Sequence, residues 1–158
     1  MKKMFLAAIA AVLSGICTVV SGADSPAPKK PADPVWLTSM SQAQEAARNG
    51  KKVIFVDFTG SDWCPWCVKL HENVLDRAAF KKFAADHLVL VYVDFPKNAK
   101  ADDPAANEKL ARKYKVEGFP TALVMSPDGK VVREIGGAMP EKEYLKELAK
   151  ALPRTAGK

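Results

Sequence analysis

The sequence predicts an α/β fold in which a central mixed β-sheet has helices on both faces. Two short apolar runs rich in β-branched and aromatic residues, Val53 to Phe58 and Leu88 to Val93, are typical of strands covered on both sides. Near the C-terminal end, Asp128-Gly129 marks the turn of a β-hairpin between two further strand patterns. Helical patterns alternate with these strands, so the order of elements implies a mixed sheet.

Helical patterns stand on either side of the first apolar strand. Ser39 or Ser41 can cap the helix before it, and Asn49-Gly50 ends that helix. After the strand, apolar residues recur at helical spacing from Val68 onward. Asp76 is placed to cap a continuation of this second pattern. We therefore expect a helix in two segments between the first and second strands.

The rest of the chain supplies two more helices and the hairpin. The polar stretch from Phe95 to Pro104 predicts a long surface loop after the second strand. A helix follows this loop and closes near Gly118. Pro140 opens the last helix, which Pro153 stops. The predicted order is helix, strand, helix, strand, helix, strand, strand, helix.

Length and terminal patterns predict one exported domain. A chain of 158 residues suits a single hydrophobic core. Lys2 and Lys3 precede an apolar run that ends in small residues, which is the pattern of a secretory signal peptide, and an uncleaved membrane anchor is the alternative. The predicted segments are a signal peptide over 1–22, a proline-rich linker over 23–34, the domain over 35–152 and a tail over 153–158. The pattern therefore predicts a periplasmic or secreted protein that contacts a membrane only if the signal segment is uncleaved.

Composition limits the classes of partner. The formal net charge is +6, but lysines and arginines alternate with acidic residues and form no basic stripe with interleaved aromatic side chains. The sequence therefore predicts no nucleic-acid partner. Cys17 lies in the predicted signal peptide, so the mature protein would keep two of the three cysteines.

Those two cysteines, Cys64 and Cys67, form a Cys-x-x-Cys pair that follows an apolar strand and opens a helix. With Pro65 as the first helical residue, Cys64 is the N-cap, where unpaired amides and the helix dipole lower the pKa of a thiol. We therefore predict that Cys64 is the nucleophile and that Cys67, one turn further on, is the resolving thiol. A zinc site that includes His71 would lack an obvious fourth ligand. An inert local disulfide is the other alternative.

Two separated motifs carry a family resemblance. The motifs are Val56-Asp57-Phe58 through Trp63-Cys64-Pro65-Trp66-Cys67 and Gly118-Phe119-Pro120-Thr121, followed by the hairpin and the closing helix. In this order they resemble the thioredoxin superfamily, in particular exported thioredoxin-like proteins with a Cys-Pro-Trp-Cys active site. The resemblance covers roughly Pro34 to Leu152 and implies a thioredoxin fold.

The resemblance also implies an activity. It implies a thiol-disulfide oxidoreductase that acts on protein thiols or disulfides and is recycled by an unidentified redox partner. The redox-active disulfide Cys64-Cys67 would be its reacting group, with no other cofactor and no metal. The alternative is a thioredoxin-fold binding or chaperone module with a structural disulfide. The direction of exchange stays open, and Pro65 and Trp66 place no ionisable group between the cysteines, which predicts an intermediate reduction potential.

Asp57 matches the buried acid that related proteins use to move a proton to or from the resolving thiol. A carboxylate in an apolar strand should have a raised pKa, which suits general acid/base work. Two departures from the family pattern stand out. The segment from Asp57 to Cys64 is one residue longer than is typical, and Leu90 stands where many members carry a lysine that pairs with the acid. Without that lysine, Asp57 would be still more basic or would depend on water. The alternative is a strand-end carboxylate that merely reaches solvent.

The resemblance implies a substrate-binding surface beside the cysteines. Phe119-Pro120 would be a cis peptide bond, and the backbone of Phe119 would pair with an extended substrate strand. Trp63 and Trp66 flank the cysteines and predict an apolar, partly exposed rim, although Trp63 could instead pack the motif against the core. Asp62 is expected to be a solvated loop acid.

Overall fold

The computed structural model describes residues 33–153. The strands are β1 (Trp36–Leu37), β2 (Val53–Thr59), β3 (Leu88–Asp94), β4 (Thr121–Met125) and β5 (Val131–Gly136). The helices are α1 (Met40–Gly50), α2 (Pro65–Leu70), α3 (Ala78–His87), α4 (Pro104–Tyr114) and α5 (Glu141–Lys150), and a π turn (His71–Leu75) continues α2. The predicted signal peptide, most of the predicted linker and nearly all of the predicted tail lie outside the described residues.

The described strands form one mixed sheet with the order β1-β3-β2-β4-β5. β1, β3 and β2 run parallel, whereas β4 is antiparallel to both β2 and β5. This confirms the predicted mixed sheet and the hairpin, in which Gly129 adopts the left-handed φ of 83° that its turn requires. β1 is an addition, because Trp36 and Leu37 pair with the edge of β3 over only two residues and give no strand pattern.

β2 is the centre of the fold, and all seven of its residues are buried. Its side chains alternate between two apolar clusters, so that Phe55 packs on one face and Ile54, Val56 and Phe58 on the other. The first face is covered by α2, the π turn, α3 and α5, and the second by α1 and α4. The predicted placement of helices on both faces is therefore confirmed.

The helix after the cysteines differs from the prediction. α2 ends at Leu70, and the amide of Asp76 then donates to the carbonyl of His71, five residues back, at 2.9 Å. This wider turn uses one more residue than an α-helical turn, so Arg77, and not Asp76, precedes α3. The prediction that Asp76 caps the continuation is wrong because Asp76 closes the π turn instead.

Other helix boundaries follow their predicted signals. Ser39 is the N-cap of α1, and its hydroxyl accepts a hydrogen bond from the amide of Gln42. α1 ends at Gly50 as expected, although Lys51 is the residue that takes the left-handed conformation. Pro140 precedes α5 directly. In the part of the chain that the structure describes, no helix combines the length and hydropathy needed to cross a membrane.

Phe55 provides a test of the central strand. Its fully buried ring makes edge-on contacts with Trp36, Phe80 and Tyr144. We expect Phe55→Ala to lower the free energy of unfolding by about 3–5 kcal/mol, measured by urea denaturation, because the cavity it leaves is walled by rigid elements. The control is Val132→Ala on β5, 52% exposed, which should change stability by less than about 0.5 kcal/mol. Equal losses in the two variants would contradict this assignment of the core.

Candidate active site

Cys64 and Cys67 lie at the start of α2 and are joined by a disulfide, with their Cα atoms 5.2 Å apart. Pro65 is the first helical residue and Cys64 is the N-cap, as predicted. The Sγ of Cys64 accepts a hydrogen bond from the amide of Cys67 at 3.2 Å. Both cysteines are buried, Cys64 at 5% exposed and Cys67 at 1%, so Cys64 is the slightly more exposed residue of the pair. This geometry can stabilise a thiolate on Cys64, since a helix-end amide points at its sulfur.

The turn before the cysteines is closed by Gly60 and Trp63. The amide of Cys64 donates to the carbonyl of Gly60 at 3.0 Å. The indole of Trp63 lies so close above Gly60 that a Cβ there would stand 2.5 Å from the ring, so only glycine fits. The indole Nε1 also donates to the carbonyl of Phe95 at 2.7 Å. Trp63 therefore packs the motif turn against the loop after β3 while 37% of its surface stays exposed.

The loop before β4 reaches the same turn. The Phe119-Pro120 peptide bond is cis, as the resemblance implied. The ring of Phe119 stacks on Phe95 at 5.0 Å between centroids and meets Trp63 edge-on at 5.9 Å. This contact joins the distant loop to the residue that precedes Cys64.

Trp63, Trp66 and Phe119 together are termed the aromatic rim. Trp66, on the first turn of α2, is 59% exposed. A lysine lies over each tryptophan, with the Nζ of Lys69 4.5 Å from the Trp66 ring centroid and that of Lys97 4.2 Å from the Trp63 ring centroid. Each exposed tryptophan of the rim therefore has a positive charge over its ring.

Asp62 holds the motif turn to the loop after β3. Its two carboxylate oxygens accept hydrogen bonds from the amides of Lys97 and Asn98 at 2.9 and 2.6 Å. These backbone hydrogen bonds lower the pKa of Asp62 below its ordinary value. The expectation that Asp62 is a solvated loop acid is confirmed, since Asp62 is exposed, but its carboxylate also anchors the backbone amides of Lys97 and Asn98.

Asp57 is fully buried in β2 and is paired with His71. The Nε2 of His71 lies 2.8 Å from the Oδ2 of Asp57. Burial raises the pKa of Asp57 above its ordinary value, although the hydrogen bond and the charge of His71 act in the opposite direction. Burial alone would lower the pKa of His71, but the hydrogen bond and the negative charge of Asp57 outweigh it, with help from Asp76 and Asp94, and raise that pKa. The predicted raised pKa of Asp57 thus has burial as its main cause.

The partner of Asp57 in the structure differs from the predicted one. In the parallel pairing of β2 and β3, Asp57 stands opposite Tyr92, whereas Leu90 stands opposite Phe55 in the core. The residue opposite Asp57 on β3 is therefore Tyr92. The prediction that Leu90 stands at the position of the family's lysine is wrong by two positions. His71 supplies the ionic partner instead. The sequence feature that could have identified this partner is the position of His71, four residues after Cys67 and on the same side of the helix.

Tyr92 and Cys67 belong to the surroundings of the Asp57-His71 pair. Burial, with the charges of Asp94 and Asp57, raises the pKa of Tyr92 to about 12. Cys67, His71 and Tyr92 line one cavity of about 240 Å³. The zinc cluster considered from the sequence is not assembled among the described residues, since the two sulfurs are bonded to each other and His71 faces Asp57.

Comparison with known proteins places this site in a family. A profile of the thioredoxin-like domain matches residues 40–152. The disulfide bond reductase DsbH of Chlamydia pneumoniae is 40% identical over 100 residues, which are 62% of this chain and 60% of DsbH. The thioredoxin-related protein DsbJ of the same organism is 26% identical over 104 residues, 65% of this chain and 30% of DsbJ. This chain thus spans less than two thirds of the length of either relative.

The solved structures agree with the sequence comparison. A structure of DsbH oxidoreductase superposes with a TM-score of 0.70 at 34% identity, covering 84% of this chain and 94% of that one. The profile match over residues 40–152 spans β2 to β5, the cysteine pair and the closing helix α5. The chain therefore belongs to the thioredoxin-like family.

Proposed function

We propose that this protein is a thiol-disulfide oxidoreductase that works on cysteines of other proteins, chiefly as a reductase. The observation that carries the proposal is the Cys64-Cys67 disulfide at the start of α2, with Cys64 at the N-cap and its Sγ accepting a backbone hydrogen bond. The similarity to a protein named disulfide bond reductase supports the reducing direction. No cofactor beyond this disulfide is required for the exchange.

The proposed reaction begins with the reduced pair. The Cys64 thiolate attacks one sulfur of a substrate disulfide, forms a mixed disulfide and releases the other substrate sulfur as a thiolate. Cys67 then gives its proton to Asp57 and attacks the Sγ of Cys64. This step restores the Cys64-Cys67 disulfide and releases the second substrate thiolate. Two electrons pass from the pair to the substrate, and a dithiol redox partner must return them. Oxidation or isomerisation would use the same exchange from another starting state.

The surroundings of the pair suggest how a protein substrate docks. The aromatic rim offers an exposed apolar surface next to Cys64, and its lysines favour substrate segments that carry acidic residues. The backbone of Phe119, just before β4, is proposed to pair with an extended substrate strand beside Pro120. Side-chain selectivity would then be low, as suits an enzyme with many substrates.

Export is part of the proposal. The signal-peptide pattern over 1–22 and the similarity to Dsb proteins support a periplasmic or secreted protein. The domain over 35–152 would then follow a linker over 23–34 and precede a short tail over 153–158. An oxidising compartment is also where protein disulfides are available as substrates.

A binding or chaperone module is the second candidate. The low exposure of both cysteines in the disulfide state favours it, because an inert structural disulfide would also be buried. In that case the aromatic rim would bind clients without exchange of thiols. The two candidates differ in whether activity depends on Cys64.

The cysteines themselves provide the first test of function. We expect Cys64→Ser to abolish dithiothreitol-dependent reduction of insulin, followed as turbidity, because the attacking thiol at the helix N-cap is removed and Cys67 is almost fully buried. Cys67→Ser should also lose turnover but accumulate a covalent complex with insulin on non-reducing gels, since the mixed disulfide is not resolved. If Cys64→Ser and the wild type reduce insulin equally, the protein is a binding module.

The aromatic rim gives a second test. We expect Trp66→Ala to raise KM for insulin disulfides about fivefold to tenfold, the range for loss of an aromatic contact at an interface. Reduction of hydroxyethyl disulfide should be unchanged, because this small substrate does not reach the rim. Val131→Ala, an exposed apolar truncation on β5, is the control. A parallel loss with both substrates would show that Trp66 acts on the cysteines and not on docking.

The reduction potential tests the chemistry between the cysteines. Because Pro65 and Trp66 carry no ionisable group, little beyond the helix end stabilises the Cys64 thiolate. We expect equilibration with glutathione to give a potential between about −270 mV, typical of thioredoxin, and about −120 mV, typical of a strong oxidant. A value at or beyond either limit would contradict this account.

A further inference from the structure

The hydrogen bond between Asp57 and His71 joins a fully buried acid to a titratable side chain that reaches solvent. Asp57 is fully buried, and its Oδ1 has no hydrogen-bond partner among the described residues. His71, which holds Oδ2, is 24% exposed. Its side chain lines the same cavity of about 240 Å³ as Cys67 and Thr59. The resolving thiol, the imidazole and the solvent therefore meet at one opening.

We propose that His71 is the positioning and proton-relay residue that connects the buried Asp57 to solvent while Cys67 resolves the mixed disulfide. This inference rests on the proposed oxidoreductase function and deepens it. His71 thereby takes the role of charged partner to Asp57. The neighbouring strand β3 does not supply such a partner, because the position opposite Asp57 is occupied by Tyr92.

The described side chains around the Asp57-His71 pair differ in whether they can carry a proton near neutral pH. Asp57 faces His71 from β2, Tyr92 and Asp94 from β3, and Glu72 and Asp76 from its own turn and the end of that turn. The Tyr92 phenol, with its pKa of about 12, and the buried Tyr144 phenol, with a pKa well above 10, do not exchange protons near neutral pH. Imidazole does, since its ordinary pKa is near neutrality.

The charges in the cavity favour the protonated imidazole. No lysine or arginine lines this cavity in the described part of the chain, whereas Glu72 and Asp76 do. Trp36 and Tyr92 flank the imidazole ring, with centroids 6.1 and 5.7 Å away, and so restrict its orientation toward Asp57. A protonated His71 then donates to Oδ2 of Asp57 and leaves Oδ1 free to receive a proton.

The proposed step conserves protons. The thiol proton of Cys67 moves to Asp57 as the sulfur attacks the Sγ of Cys64, the Cys64-substrate bond breaks and the substrate leaves as a thiolate. The imidazolium of His71 releases one proton to cavity water, so the Asp57-His71 pair again holds one proton. In the reverse direction, the same route delivers a proton from solvent to the Cys67 thiolate as the Cys64-Cys67 bond opens.

The test separates the two steps of the reaction. All proteins are the full chain with Cys17→Ser, so that only the pair reacts. The reduced protein is mixed with increasing glutathione disulfide between pH 5 and 9, and the tryptophan fluorescence, to which Trp36, Trp63 and Trp66 contribute, is followed by stopped flow. The initial slope against glutathione disulfide reports attack by Cys64, and the plateau reports resolution by Cys67.

We expect His71→Gln to lower the plateau at pH 7 by about 10-fold to 100-fold, near the lower end for loss of general acid/base help. The initial slope should stay unchanged. Because the charge of His71 lowers the pKa of Asp57, its loss raises that pKa, and the acid limb of the plateau profile should move to higher pH. Added imidazole should restore the plateau of His71→Ala, which leaves room in the cavity, and should not affect the wild type.

Two controls make the result specific. His87→Gln changes the other histidine, which packs on Phe83 at the end of α3, and should behave as the wild type. In an Asp57→Asn background, His71→Gln should lower the plateau no further, because the relay then has no acceptor. A wild-type plateau and profile in His71→Gln would overturn the relay, as would a pH-independent loss that imidazole does not restore. If the reduced wild type and Cys67→Ser react alike, with no resolution step, the proposed function itself fails.

Discussion

The hydrogen bond between Asp57 and His71 ties the centre of the sheet to the helix that carries the cysteines. β2 is covered on both faces, so an unpaired carboxylate within it would carry a desolvation cost of several kcal/mol. His71 offsets this cost from the junction of α2 and the π turn. The position of the helix therefore depends on the same contact that tunes the buried acid. Removing either partner would leave the other without its counter-charge, which is why stability and chemistry are coupled at this point.

Two further carboxylates fix the turn that presents Cys64. Asp62 accepts the amides of Lys97 and Asn98, and Asp94, at the end of β3, accepts both the amide and the hydroxyl of Ser61. The indole of Trp63 adds a hydrogen bond to the same loop. This turn, which is one residue longer than in typical thioredoxins, is thus held by hydrogen bonds from side chains of the turn itself and from Asp94 at the end of β3. A turn with so many fixed contacts can keep a sulfur at a helix end without help from residues between the cysteines.

The sequence was most informative where the signal is local. The apolar run of β2, the Asp128-Gly129 turn and the N-cap position of Cys64 each depend on a few adjacent residues, and each is confirmed. Contacts between distant segments were mostly missed, apart from the Phe119-Pro120 loop, which the family resemblance placed beside the cysteines. The two-residue β1 has no period to detect, the π turn departs from the helical repeat, and the register that sets Tyr92 opposite Asp57 depends on the pairing of whole strands. The pairing of His71 with Asp57 spans a strand, a turn and a helix, so the predicted acid could be located but its partner could not.

The two faces of α2 separate the substrate from the proposed proton route. Trp66 and Lys69, three residues apart, lie on the face of the aromatic rim, whereas Cys67 and His71, four apart, line the acidic cavity. In the proposed reaction this separation matters, because Cys67 loses its proton while the substrate is still bonded to Cys64 and, as proposed, covers the rim. A proton exit on the docking face would be closed at that moment. An exit through His71 stays open to solvent, so resolution does not have to wait for the substrate to leave. On this argument the histidine has to lie on the helix, beside the resolving cysteine, and a partner on the docking side could not replace it.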